Sequence, residues 1–249
     1  MSPYSDRFYE DLDATAQPSA ERIVPMITEW LAPKSAVDLG CGDGGWLSVL
    51  QAHGCGQVLG LDGPWAAKRH LKIAAADFRE IRFDQPITIG RKFDLALSLE
   101  VAEHLPPKGA EDFVGTLTDL APVVLFSAAI PGQGGTHHVN EQWPEYWVAL
   151  FDARGYAPID VIRWQVLGDP GVAWWYAQNI LLFASDQALI DNPRLARLRA
   201  LTPETPPALV HPALYQIALG RARPGLGRWF KGAPGAARRS LARLLGAKD

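Results

Sequence analysis

Val37-Asp38-Leu39-Gly40-Cys41-Gly42-Asp43-Gly44-Gly45-Trp46 is the stretch whose reading decides the fold. Ala36, Val37 and Leu39 make a short buried strand. Gly40, Gly42 and Gly44 follow with a backbone that turns tightly and lets a ligand approach with no Cβ in the way. Trp46, Leu47, Val49 and Leu50 then open a helix whose unpaired N–H groups point back at the turn. Such a junction suits nucleotide-like ligands. The spacing Gly40-x-Gly42-x-x-Gly45 also satisfies the dinucleotide fingerprint, which alone separates no cofactor from another.

Outward from this run, strands and helices alternate. A helix is expected near 19–31, with Ser19 as its N-cap and Pro33 ending it. Further strands are expected at 57–62, within 72–78, at 93–100 and at 123–130. Helices are expected at 46–53, 109–120 and 143–154, the last ending at Gly155. Two strand-like runs, 159–167 and 179–185, flank the turn-rich Gly168-Asp-Pro-Gly171 and predict a hairpin. Alternation of this kind implies a parallel sheet covered by helices on both faces. Seven strands closing in a hairpin-like pair are not what two repeated mononucleotide halves would give.

The chain has 249 residues, 48% of them hydrophobic, enough for a sizeable core. No apolar run is long enough for a membrane span, and the N-terminus lacks the profile of a signal peptide. Cys41 and Cys55 cannot build a disulfide framework, so a reduced, cytoplasmic setting is expected. The net charge of −3 hides a division: residues 190–249 carry eleven Lys/Arg against three acids, leaving −11 on the rest. Three segments follow: 1–18, a loose terminus or a lid; 19–186, the ligand-binding domain; and 187–249, a basic Pro/Gly/Arg-rich extension with short helices.

The motif order resembles the class I S-adenosylmethionine (SAM) methyltransferases over roughly residues 19–186. Asp38-Leu-Gly-Cys-Gly-Asp-Gly44, Asp62, Ala76-Asp77-Phe78 and Leu99-Glu100-Val-Ala-Glu-His104 carry the resemblance. It implies a Rossmann-like seven-stranded α/β sheet with its last strand antiparallel and SAM lying across the strand ends. It also implies cofactor contacts from Asp38, Gly40, Cys41, Gly42, Gly44, Asp62, Asp77, Phe78, Leu99 and Glu100. The chemistry agrees. A carboxylate ending the second strand, Asp62, can accept both ribose hydroxyls. Asp77 offers an acceptor for the adenine amine beside an apolar Phe78, and Asp38 suits the cationic amino group.

Methyl transfer to a hydroxyl needs positioning and a proton acceptor. Two clusters supply candidates: Glu100-Val-Ala-Glu103-His104 and Gly135-Thr-His137-His138-Val-Asn140-Glu141. His138, His104 and Glu103 are the catalytic candidates. Alternatively, these groups only orient loops. A third reading has Glu100, Glu103, His104 and one of His137/His138 bind a divalent metal, a pattern similar to metal-dependent small-RNA 2′-O-methyltransferases; no metal ligand is assigned. Phe8-Tyr9, Ser19-Ala20, the glycine turn and His137-His138-Val-Asn-Glu-Gln-Trp143 together resemble bacterial methyltransferases of surface-polysaccharide and other glycan biosynthesis. The expected acceptor is therefore a small-molecule or lipid-linked sugar or glycan; Trp143, Tyr146, Trp147, Trp174, Trp175 and Tyr176 either pack the core or, with Gln178 and Asn179, stack on and bond a sugar. A phenol or quinone acceptor, a non-catalytic SAM-binding protein and an NAD-dependent oxidoreductase are the alternatives. Short amphipathic helices at 228–231 and 236–245 would allow peripheral contact with the inner face of a membrane; nucleic acid is not the expected partner.

Overall fold

The computed structural model describes residues 6–68 and 70–222, with residues 6–14 and 68 described by backbone alone. Two compact units divide the chain, 1–211 and 212–249. The first unit contains β1 (Ser35–Leu39), β2 (Gln57–Asp62), β3 (Phe78–Glu80), β4 (Leu95–Leu99), β5 (Val123–Ser127), β6 (Tyr156–Ile159) and β7 (Leu181–Ser185). They form one sheet in the order β3-β2-β1-β4-β5-β7-β6. β7 runs antiparallel to both β5 and β6, while the β1, β2, β3, β4 and β5 pairs are parallel. The expected seven-stranded α/β architecture is thus present, its last strand reversed.

Both faces of the sheet are covered, which explains the unbroken apolar runs. Every residue of β4 and β5 is buried, as parallel strands between two helical layers must be. On one face pack α1 (Asp6–Leu31), α2 (Gly45–Ala52), α5 (Ile162–Val166), α6 (Trp174–Asn179) and α8 (Pro193–Ala200). On the other lie α3 (Ala110–Leu120) and α4 (Pro144–Asp152), where Trp147 and Phe151 close over Phe126 and Phe183. Chain order reverses between β1 and β4, so the carboxyl ends of these neighbours diverge into a crevice. That crevice holds the site.

Several expected elements change. α1 starts at Asp6 and runs through Pro18 and Pro25, so Ser19 is no N-cap. Its hydroxyl, fully buried, donates to Thr15 O (2.6 Å) and accepts from Ala173 N (3.0 Å), joining α1 to the segment before α6. β3 forms only at 78–80; Ala75–Asp77 is a single helical turn. The strand expected at 159–167 ends at Ile159, and α5 follows, because Ile162 and Val166, four apart, both reach the core. Gly168–Gly171 therefore joins two helices instead of turning a hairpin. The first compact unit runs on to His211. Leu195 of α8 is buried, and Thr202 and His211 bond back to Asp160, Leu167 and Gln178.

In the second unit, α9 (Pro212–Ala222) is described and leaves Tyr215, Ile217 and Leu219 exposed. The amphipathic helices expected at 228–231 and 236–245 lie outside the described residues. Among the described residues no helix is long and apolar enough to cross a membrane. Cys41 and Cys55 are free and buried.

Candidate active site

A cavity of about 580 Å³ opens at the carboxyl ends of β1, β2 and β4, within the range of small-ligand sites. The glycine turn forms its floor. Gly40 has φ +89°, and a Cβ there would meet Val101 Cγ2 at 2.3 Å. Gly44 (φ +82°) is similarly closed, by Ile73 at 2.9 Å. The turn is thus glycine for two reasons, its left-handed backbone and its packing.

Three carboxylates surround the turn. Asp38, 2% exposed, has an Oδ1 with no hydrogen-bond partner. Burial, reinforced by Asp62 and Asp43, pushes it up to about 7. Asp62 accepts from Gly42 N at 2.8 Å and Gly63 N at 2.6 Å, and burial raises it to about 6. It therefore braces the turn while keeping lone pairs for a ligand, since a carboxylate has about four acceptor sites. Asp43 takes Gly45 N (2.9 Å) and pairs with Lys72 (2.8 Å). One lysine against three carboxylates leaves a pocket suited to a cation.

The sequence-predicted cofactor residues divide. Asp38, Gly40, Cys41, Gly42, Asp62, Leu99 and Glu100 line the cavity. Asp77 and Phe78 do not: they stand before or at the first residue of β3, away from its carboxyl end. The far wall is instead built by Glu80, Ile81, Arg82, Phe83 and Asp84, which continue β3. Gly44 shapes the turn from behind, with Gly45 at the surface of the cavity. Sequence reasoning missed Ala16 of α1 and Trp65, and it named Tyr176 without assigning it to this cavity. Ala16 brings the helix that contains it to the rim. Trp46 and Tyr176 meet edge to face at 5.3 Å.

Behind Glu100 and His104, which line the cavity, the two candidate clusters come together; Glu103 and His138 are not among the lining residues. Glu100 follows β4 in a left-handed conformation (φ +56°). Its Oε1 accepts from Asn179 Nδ2 (3.0 Å) and its Oε2 from Gln133 Nε2 (2.8 Å). Glu103 is fully buried, and neither oxygen makes a hydrogen bond of good geometry. Burial, then the neighbouring Glu100, drives its carboxyl well above the usual range. His104 lines the cavity and is pushed down to about 4, by burial and by His138. The His104 and His138 rings lie edge to face at 4.8 Å.

The loop after β5 delivers His138. Val139 N and Asn140 N donate to Glu103 O (2.8 and 3.0 Å), pinning the loop to the turn after β4. Gly132 N and Gly134 N donate to Glu141. Glu141 Oε1 in turn lies 2.9 Å from His138 Nδ1. A Cβ on Gly135 would sit 2.2 Å from His138 Nε2, so glycine makes room for the ring. With Nδ1 protonated toward Glu141, Nε2 is the basic nitrogen. Ligand atoms of Glu103, His104 and His138 lie within 4.8 Å of one another. The four-ligand set expected from sequence shrinks to these three, since both oxygens of Glu100 bond amides and His137 is exposed and outside the cluster.

The sugar-binding role expected for the aromatics and amides changes too. Gln178 and Asn179 are buried and bonded to each other, to Gln133 and to Glu100. Trp147 is core. Of Trp143, Tyr146, Trp147, Trp174, Trp175 and Tyr176, the cavity is lined by Tyr176.

A cation-accepting glycine turn, a carboxylate ending β2 and a seven-stranded sheet with a reversed final strand define the class I SAM-dependent methyltransferases. Residues 14–158, more than half of the chain, match the family model of the methyltransferase domain, and the chain belongs to that family. It is 38% identical over 158 residues to a ubiquinone biosynthesis O-methyltransferase of Methylobacterium sp. (strain 4-46), covering 59% of this chain. The match spans 58% of that curated relative's length. Among solved structures, DesVI of Streptomyces venezuelae superposes with a TM-score of 0.55 at 14% identity, over 72% of this chain and 96% of that one. CalO1, a methyltransferase in calicheamicin biosynthesis in its SAH-bound form, gives 0.51 at 16% identity, over 71% and 55%. At such identities these two share the fold.

Proposed function

We propose that the chain transfers a methyl group from SAM to a hydroxyl oxygen of a small-molecule acceptor, of phenol or quinone type in preference to a sugar or glycan. One observation carries the reading: a cavity rich in carboxylates, whose Asp38 has an unpartnered oxygen, adjoins a cluster of proton-accepting groups. Asp38 would hold the SAM ammonium and Asp62 its ribose hydroxyls, beside an acidic wall that suits the sulfonium charge. Bound SAM would supply a methyl group for in-line displacement by the acceptor oxygen, with a neutral thioether as the leaving group. Alignment supplies much of the rate. The hydroxyl proton passes to His138 Nε2, with Glu141 holding the ring. Glu141 orients His138 for this role, whereas burial and the neighbouring His138 leave the His104 nitrogen too weakly basic for it. The named activity of the Methylobacterium relative supports the ring acceptor, and Gln178 and Asn179, two of the groups expected to bond a sugar, are buried away from the cavity lining.

Calorimetric titration with SAM, its demethylated product and NAD tests the cofactor. Tight NAD binding without response to SAM overturns the reading. Labelled SAM offered with catechols, phenols and free sugars then tests the acceptor.

A second reading of the activation step, that a divalent cation lowers the acceptor's pKa, is favoured by the bare, fully buried oxygens of Glu103 beside two imidazoles. Activity lost in EDTA and restored by Mg²⁺ or Mn²⁺ would select it. Activity indifferent to EDTA but reduced about 10²-fold or more by His138→Ala selects the base.

A further inference from the structure

Six hydrogen bonds behind the acceptor side run in one direction, one of them a cross-link from Asn179 Nδ2 to Gln133 Oε1 at 2.9 Å. His211 N donates to Gln178 Oε1 at 2.8 Å. Gln178 Nε2 donates to Gln133 Oε1 (3.1 Å) and to Asn179 Oδ1 (2.9 Å). Gln133 Nε2 then donates to Glu100 Oε2 (2.8 Å), and Asn179 Nδ2 to Glu100 Oε1 (3.0 Å). An amide side chain has a donor end and an acceptor end, so each bond dictates the next. The backbone N–H of residue 211 can only donate. It therefore fixes the carbonyl end of Gln178, which turns the NH₂ of Gln178 toward two carbonyls, which turns both remaining NH₂ groups toward Glu100.

We propose that Gln133, Gln178 and Asn179 are positioning residues: an oriented amide relay, anchored on the backbone of His211, that holds the Glu100 carboxylate at the SAM cavity and clamps the 130–142 loop to it. The relay joins four separate parts of the chain: the end of β4, the loop after β5, the end of α6 and the segment after α8. None of the three amides lines the cavity, and all three are buried, so their action on a ligand passes through Glu100. The anchor is itself held. Arg163, 1% exposed, donates to Gln178 O (3.2 Å) and to Pro207 O (3.1 Å), while His211 Nε2 lies 2.9 Å from Leu167 O. The segment 202–211, beyond the region that matches the methyltransferase-domain family, thereby completes the site.

The inference rests on SAM as the cofactor, and the test separates the two. SAM dissociation constants are measured by calorimetry on the full chain for Gln178→Glu, Asn179→Asp and Gln133→Met, each alone and combined with Glu100→Gln. Gln178→Glu keeps the acceptor for His211 N and loses the donors; Gln133→Met keeps volume and loses both ends. The expected result is at least a fivefold weakening by each substitution in the natural chain, shrinking below twofold when Glu100 is already Gln. Equal losses in both backgrounds, or no loss, overturn the relay. Should Gln178→Glu fail to fold by circular dichroism, Gln133→Met and Asn179→Asp decide. Failure of the natural chain to bind SAM overturns the cofactor reading instead.

Discussion

At the scale of single residues, the site is governed by what burial does to charge. Asp38 and Asp62 sit at about 7 and about 6 because desolvation outweighs the bonds that Asp62 receives. Between pH 4 and 7 these two groups bind more protons in the folded chain than in the unfolded one, so the stability they contribute falls as pH rises through that window, with His104 alone of the three acting in the opposite direction. On the proposed reading, SAM binding uses the ionised Asp38 and should run the other way. We expect the melting temperature of the free protein to rise as pH is lowered from 7.5 toward 5.5, while the increment added by saturating SAM shrinks. Thermal denaturation with and without SAM reads both trends. Asp38→Asn should lower SAM affinity by about tenfold or more, since a charge-assisted bond is worth about 1.5–3 kcal/mol, and should flatten the pH dependence of the increment. Gly40→Ala should destabilise the fold by about 1–3 kcal/mol or more, because its φ of +89° and the contact with Val101 both oppose a Cβ. Urea midpoints measure it.

At the scale of elements, the short helices after β6 are placed by a buried ion pair. Arg163 and Asp160, 1% and 0% exposed, meet at 2.5–2.7 Å. Arg163→Met leaves Asp160 buried without its cation and should cost about 3–5 kcal/mol. The double replacement Asp160→Leu with Arg163→Met should recover much of that, as denaturant titration will show. The strand at 159–167 was misread here because Val161, Ile162, Trp164 and Val166 satisfy a β pattern locally. The helix is set by Ile162 and Val166 reaching the core together with the buried arginine, which is held by groups 15 and 44 residues away. α1 is the complementary case. Ser19 reads as an N-cap in sequence, yet its hydroxyl gains its second partner from Ala173, 154 residues on.

At the scale of the molecule, the first unit reaches past the sheet to His211. Residues 202–211 add no strand, but they give Asp160 a Thr202 hydroxyl, Arg163 a carbonyl and Gln178 an N–H. A chain ending at residue 200 should melt at least 5 °C below one ending at 211, with weaker SAM binding, because it leaves buried polar groups unpartnered at about 1–3 kcal/mol each. Differential scanning calorimetry on the two truncations compares them.

The sequence by itself determined the sheet, the turn and the cavity-lining acids Asp38 and Asp62. These depend on neighbours in the chain: apolar runs make buried strands, glycine permits positive φ, and a residue ending a parallel strand faces the ligand edge. The run from Glu100 to His104 and the His138 loop were likewise readable as chemistry. Only the tertiary structure decided which of these residues act together. It set Glu80–Asp84, not Asp77 and Phe78, along the far wall, because register in the sheet fixes which residue reaches the rim. It also turned Gln133, Gln178 and Asn179 inward to Glu100. Hydrogen-bond partners of buried amides are chosen by packing across the whole unit, and no spacing along the chain encodes them.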